Sequence, residues 1–309
     1  MDGIINVYKE AGFTSHDVVA KLRGILHQKK IGHTGTLDPM ATGVLPVCCG
    51  KATKVCELLA GRDKTYQAVC RLGMVTDTQD TTGKVLEEVS VKDVTREQVM
   101  EAVKSFQGSS MQIPPMYSAL KVGGRKLYEL AREGVEVERK PREIFISDIK
   151  ILQMDIEEQI FSMEVTCSKG TYIRTLCHDI GQKLGVGAAM ENLVRTRVGN
   201  FRIADAMTLD VIEQLSGESE EEFMKKIYTV DSLFSGYPKF QIKSEYAVKL
   251  ANGNILEESF LEPYGTQEAG KQNMKSDDDT LQCLVYDENG SFKAVYKRTG
   301  KDFTVIKMF

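Results

Sequence analysis

Asp38 is the residue of this chain best placed for chemistry. It stands in Gly32-His33-Thr34-Gly35-Thr36-Leu37-Asp38-Pro39-Met40-Ala41-Thr42-Gly43-Val44-Leu45-Pro46, one acid among turn-forming and small polar residues. Glycine permits positive φ and proline removes a backbone donor, so the stretch is predicted to be a shaped loop rather than a helix or central strand. Leu37, Val44 and Leu45 are expected to bury its flanks, and Pro39 biases Asp38 toward an extended backbone. A carboxylate held in this way is pre-organised to act as a nucleophile or base. The structural alternative is an Asp-Pro turn in which Asp38 bonds only its own backbone.

Two further segments place polar groups where a cleft can use them. Thr65 to Leu72 alternates as a strand whose Tyr66, Ala68, Cys70 and Leu72 share one face, after Asp63-Lys64. Cys167-Ser168-Lys169-Gly170-Thr171-Tyr172-Ile173-Arg174 leads into a helix whose Ile173, Leu176, Ile180 and Leu184 recur at helical spacing, which puts Tyr172 and Arg174 in its first turn. Read alone, Tyr66 is a core aromatic and Arg174 a surface helix charge.

Together the three segments, in this order, closely resemble the motifs of the TruB family, the bacterial tRNA pseudouridine-55 synthases, over roughly residues 4 to 235. The resemblance implies that Asp38 is the catalytic aspartate, that Tyr66 packs against the target base, and that Arg174 pairs with Asp38. A guanidinium beside a carboxylate favours its ionised form. By the same resemblance His33 and Tyr172 contact the target nucleotide region, Leu193 in Glu191-Asn192-Leu193-Val194-Arg195-Thr196-Arg197 lines its pocket, and Asp80 lies near the cleft. Lys9 matches a substrate-region lysine that the family usually follows with proline; here Glu10 follows it. The implied reaction breaks the N1 glycosidic bond of a flipped-out uridine and rejoins the ribose to C5 of the same base. Whether Asp38 attacks C6, attacks C1′ or abstracts a sugar proton is left open by residue types. No cofactor is expected, and the chain carries no dinucleotide fingerprint, Walker loop or metal-ligand spacing. A tRNA-binding folding chaperone with little dependence on turnover is the alternative function, which an intact Asp38, Tyr66 and Arg174 disfavour. An RNA-guided synthase would call for partner-binding extensions and a more basic chain.

The elements that must position these groups follow from pattern. Ile4 to Lys9 reads as a strand, with Ser15 capping a helix of Val18, Val19, Leu22, Ile25 and Leu26 that Lys29 and Lys30 end. Lys54 to Leu59 is predicted to begin a helix, and Gly73 to Gly83 to be a polar loop. Thr95-x-x-Gln98 is a capping box before Val99, Ala102, Val103 and Phe106. Ile144 to Leu152 and Gln159 to Cys167 read as strands; Leu281 to Tyr286 and Ala294 to Lys297 read as a hairpin through Asn289-Gly290, followed by a strand at Phe303 to Met308.

Composition sets the remaining bounds. The 309 residues are 42% hydrophobic and 27% charged, ordinary for a globular chain of about two units. No signal peptide or apolar span is evident, so a cytoplasmic protein free of membranes is expected. The seven cysteines show no Cys-x-x-Cys pair and are read as core. A net charge of −4 excludes nucleic-acid binding through overall charge, yet residues 117 to 142 carry seven bases, and acid is gathered at Glu218 to Glu222 and at Asp277-Asp278-Asp279. The resemblance implies an α+β fold: a pseudouridine synthase catalytic domain at 1–236, with a mixed, largely antiparallel sheet flanked by helices and an RNA-binding arm at about 114–142. A small β-rich, PUA-like module at 237–309 follows. The implied partner is the T stem-loop of tRNA, bound by a monomer.

Overall fold

The computed structural model describes residues 1–265 and 281–309; the acidic Asp277-Asp278-Asp279 lies outside the described residues. The chain opens with β1 (Gly3–Lys9), α1 (Ser15–Ile25), β2 (Ile31–His33), β3 (Thr42–Cys49), α2 (Cys56–Ala60) and β4 (Lys64–Leu72). A short hairpin of β5 (Met74–Thr76) and β6 (Val85–Glu88) follows, so the predicted polar loop at 73–83 opens with a strand. Next come α3 (Arg96–Lys104) and β7 (Gly108–Gln112), with the predicted capping box present in both directions at Thr95 and Gln98. The arm folds as a miniature hairpin, β8 (Lys121–Val122) and β9 (Arg125–Lys126), plus α4 (Leu127–Arg132). Then β10 (Arg142–Asp155), β11 (Ile160–Cys167), α5 (Ile173–Leu184), β12 (Ala188–Val198), β13 (Phe201–Arg202), α6 (Leu209–Glu218) and α7 (Glu220–Lys225) complete the larger part.

The main sheet runs β1-β3-β12-β4-β11-β10-β7, with β2 on β3 and β13 on β12. All its pairings are antiparallel except β12 on β3, so the sheet is mixed and largely antiparallel, as expected. On β4, Tyr66, Ala68, Cys70 and Leu72 join one core with Val99 and Val103 of α3 and Ile173, Leu176 and Ile180 of α5. On β1 the period of two sends Ile5 and Val7 to a second core under α1 and α6 and turns Ile4 to the opposite face.

The structure corrects the sequence at the start of α1 and in the signature segment. The cap of α1 is Thr14, whose hydroxyl accepts the Asp17 N–H, while the buried Ser15 hydroxyl instead accepts the Leu37 N–H at 2.9 Å. The helix ends at Ile25, before Lys29 and Lys30. Only residues 34–41 form the irregular loop, because Thr42 to Pro46 belong to β3. Pro46 is tolerated there for a local reason. Its carbonyl accepts from Thr34 N at 3.2 Å, on the side away from β1, and a strand residue turns N and O to the same side. That side falls between the pairings of β3 with β12 at 42–43 and with β2 at 47–49, just past the end of the β2 ladder, so the missing N–H interrupts no pairing within it.

Gly43 has no such latitude. Its φ is +105°, and a Cβ added there would lie 2.2 Å from the Arg195 carbonyl oxygen across the parallel pairing. Gly43→Ala is expected to destabilise the fold by roughly 3 kcal/mol, read as a lowered midpoint in urea at unchanged slope. Six of the seven cysteines are buried thiols and Cys56 is half-buried.

The C-terminal part adds β14 (Lys239–Ile242), α8 (Ala247–Ala251), β15 (Leu256–Glu257), β16 (Leu261–Pro263), β17 (Gln282–Tyr286), β18 (Phe292–Thr299) and β19 (Asp302–Met308). These strands form a six-stranded sheet, ordered β15-β19-β18-β17-β14-β16, that fits a PUA-like module. It has its own core around Phe240, Tyr296 and Phe303. Leu284, Tyr286 and Val295 face the other way and pack with Val44, Val55 and Phe201 of the larger part. No helix among the described residues is long and apolar enough to cross a membrane.

Candidate active site

The irregular loop is fixed at almost every residue. Thr34 donates N–H and hydroxyl to Pro46 O, Leu37 N–H goes to Ser15, and Ala41 N–H returns to Asp38 O at 3.1 Å. Gly35 and Thr36 give their carbonyls to Arg195. The Pro39 carbonyl takes two donors, Gly12 N at 3.0 Å and Lys9 Nζ at 2.9 Å. Lys9 is fully buried and also donates to the Glu10 and Phe13 carbonyls, so its three N–H groups are all spent on backbone. Burial lowers its pKa to about 8. Lys9, expected among the substrate contacts, therefore holds the loop one residue past Asp38 and does not face a ligand.

From this scaffold Asp38 meets Arg174 at the start of α5. Arg174 Nε lies 2.8 Å from Asp38 Oδ2, and Nη2 donates to Oδ1 at 3.3 Å. The remaining guanidinium donors reach Thr78 O at 2.9 Å and Tyr117 O at 2.8 Å, with Asp80 3.8 Å from Nη1. The Arg174 side chain is 6% exposed and that of Asp38 is 41% exposed. The cation is thus locked in protein while the carboxylate stays open to a ligand. Asp80 also accepts from Thr78 and Thr82 within its turn, so it acts both as a turn acid and as a neighbour of the pair.

Asp38 and Arg174 line a cavity of about 340 Å³ together with Tyr66, Tyr172 and Leu193. Tyr172 is the N-cap residue of α5, and the buried Gln112 side chain clamps it by accepting its N–H at 2.8 Å and donating to its carbonyl at 3.0 Å. Burial raises the phenol pKa of both Tyr66 and Tyr172. His33 stands apart at the end of β2, outside the cavity lining. Its Nδ1 accepts Gly35 N–H at 3.3 Å and its ring meets His16 edge-on. Burial lowers the pKa of His33, which favours the neutral ring.

Sequence reasoning missed Lys64, Ser118 and Arg195 in the lining. Arg195 was legible in one respect: two residues from Leu193 on a strand, it shares the face of that buried leucine. On α5, away from the cavity lining, burial raises the pKa of Asp179 from 3.8 to about 6. The folded state then holds the proton that the unfolded state has lost, so this group withdraws stability as pH rises from about 4 through 6. Asp179→Asn is expected to raise Tm by about 2 °C at pH 7.5 and to leave it unchanged at pH 4; thermal melts at the two pH values check this.

Residues 23–173 match the model of the TruB family pseudouridylate synthase N-terminal domain, and residues 174–235 that of the tRNA pseudouridylate synthase B C-terminal domain. The chain is 44% identical to tRNA pseudouridine synthase B of Clostridium kluyveri over the whole of both chains. With the Bacillus pumilus protein of the same name it shares 45% identity, over 83% of this chain and 84% of that one. Among solved structures, a Cbf5-Nop10-Gar1 complex is similar at 28% identity and TM-score 0.70, over 99% of this chain and 84% of that one. An H/ACA RNP bound to a substrate RNA containing 2′-deoxyuridine is similar at 27% identity and TM-score 0.69, with the same coverage. Two family models in tandem, and full-length identity far above the level at which fold alone is shared, make the chain a member of the TruB family of pseudouridylate synthases.

Proposed function

We propose that the chain isomerises uridine 55 in the T loop of tRNA to pseudouridine, with Asp38 as the essential carboxylate and Arg174 as its partner. The observation that carries this reading is the two-point Asp38–Arg174 ion pair, whose carboxylate remains open toward the cavity. Tyr66 and Leu193 supply an apolar face for a flipped base, and Tyr172 lines the same cavity with Asp38. Lys169 stands exposed on the rim, suited to phosphate.

Residues 1–236 act as the catalytic unit and 237–309 as an RNA-binding module. The arm at 114–142 covers the T stem-loop. It exposes Lys121, Arg132, Lys140 and Arg142, and at its base the Tyr117 carbonyl accepts from Arg174 Nη2. Docking of RNA on the arm is thereby linked to the position of the catalytic pair. The enzyme works as a cytoplasmic monomer without a cofactor. Chemical mapping of pseudouridine in an unmodified tRNA transcript tests the reading: a signal at position 55, absent from a transcript with cytidine there, is expected. Tight binding with no signal at any position would return the protein to the chaperone reading.

A further inference from the structure

The described residues include three buried arginines, and two have acids beside them: Arg174 with Asp38, and Arg298 with Glu258. Arg195 does not. It is 1% exposed, and its guanidinium donates to three carbonyls, Val44 O at 2.7 Å, Gly35 O at 3.2 Å and Thr36 O at 3.4 Å, and interacts with the Tyr66 hydroxyl, all of them neutral groups. Lys64 repeats the pattern. It is 6% exposed and donates to Ala60 O and Arg62 O, with no carboxylate among the described residues in ion-pair contact. Both line the cavity, and Arg195 pairs across the sheet with Tyr66.

Holding carbonyls requires donors but not charge, and an unbalanced buried charge is costly to keep. Lys9 is bonded in the same way but lies outside the cavity; Arg195 and Lys64 line it, and there they await a negative charge that the described residues do not place against them. A tRNA phosphate cannot reach side chains this deeply covered. A base in the cavity lies within a few ångströms, across a medium that screens poorly. Arg174 is already matched by Asp38, so charge appearing on the base must be met by other groups.

We propose, building on the reading above, that Arg195 and Lys64 stabilise the uracil anion produced when the C1′–N1 bond breaks. In each route open to Asp38 that bond breaks with its electron pair passing to the base, where charge spreads over N1, O2 and O4. The charge is consumed as C5 bonds to C1′; C5 then gives up its proton and N1 takes one, so the product is an isomer. Arg195 also positions the loop through the Gly35 and Thr36 carbonyls, and the test must separate the two roles.

The separating variable is the stability of the base anion. A T-arm RNA carries either uridine or 5-fluorouridine at the target position, and single-turnover loss of the N-glycoside is followed, because fluorine stabilises the anion but cannot leave C5 as a proton does. Arg195→Gln is expected to slow the uridine reaction about 100-fold and the 5-fluorouridine reaction about tenfold or less. Equal losses on the two bases would reduce Arg195 to a positioning residue and overturn the proposal. Lys64→Gln keeps a donor for the Ala60 and Arg62 carbonyls, and it decides the matter should Arg195→Gln not fold. It is expected to react about tenfold more slowly with no fall in Tm at pH 7; reaction at the parent rate would overturn the proposal. Failure of the parent protein to convert uridine at all would instead strike the proposed function.

Discussion

Arg174→Lys is expected to slow turnover about 100- to 1000-fold at saturating tRNA, with a much smaller change in tRNA affinity. The guanidinium here does what no ammonium can. Nε and Nη2 grip the two oxygens of Asp38, Nη1 holds the Thr78 carbonyl and Nη2 the Tyr117 carbonyl. Lysine offers one compact charge, which can sit against Asp38 or against the carbonyls but not in all these places. The variant thus frees a carboxylate oxygen to rotate and loosens the base of the arm. Misplacement of the reacting group by an ångström suffices for a loss of this size. Single-turnover rates and filter-binding affinities measured together check the expectation; a loss confined to affinity would remove Arg174 from the catalytic centre.

Asp38→Asn should be more severe, at least about 10⁴-fold in turnover, because it keeps the shape of the group and deletes the charge that every route to the product uses. It also leaves the Arg174 guanidinium buried without its strongest partner. Breaking a fully buried pair costs about 3–5 kcal/mol; the Asp38 side chain is 41% exposed, so roughly 1–2 kcal/mol is expected here. Affinity for tRNA should stay within a few-fold, since the loop is anchored by Ser15, Lys9 and Arg195 rather than by the Asp38 carboxylate. A thermal melt and a binding curve on the same preparation distinguish lost chemistry from lost fold.

Local patterns were the legible part of this molecule. The alternation that buries Tyr66, the capping box at Thr95 and the stripe on α5 depend on neighbours a few residues away, and all three appear as expected. Ser15 and Thr14 are both competent caps, and only the position of Leu37, 22 residues on, decides that Ser15 serves the catalytic loop. Lys9 and Arg195 escaped for the same reason. The partners that tie them to the catalytic loop are carbonyls 30 and about 160 residues distant, and a carbonyl has no signature in sequence. Nor did composition reveal that Leu284, Tyr286 and Val295 finish a core begun by Val44 and Val55. The proline at 46 reads as a strand breaker until the gap in pairing beside it is known.

The most direct test is tritium release from a tRNA transcript labelled at C5 of uridine, run side by side with the intact protein and Asp38→Asn. Bond formation at C5 expels that hydrogen, so the intact protein should release one equivalent per tRNA, Asp38→Asn none, and a transcript lacking the uridine at position 55 none. Release by Asp38→Asn at a rate near the parent would contradict the assignment of the chemistry to Asp38.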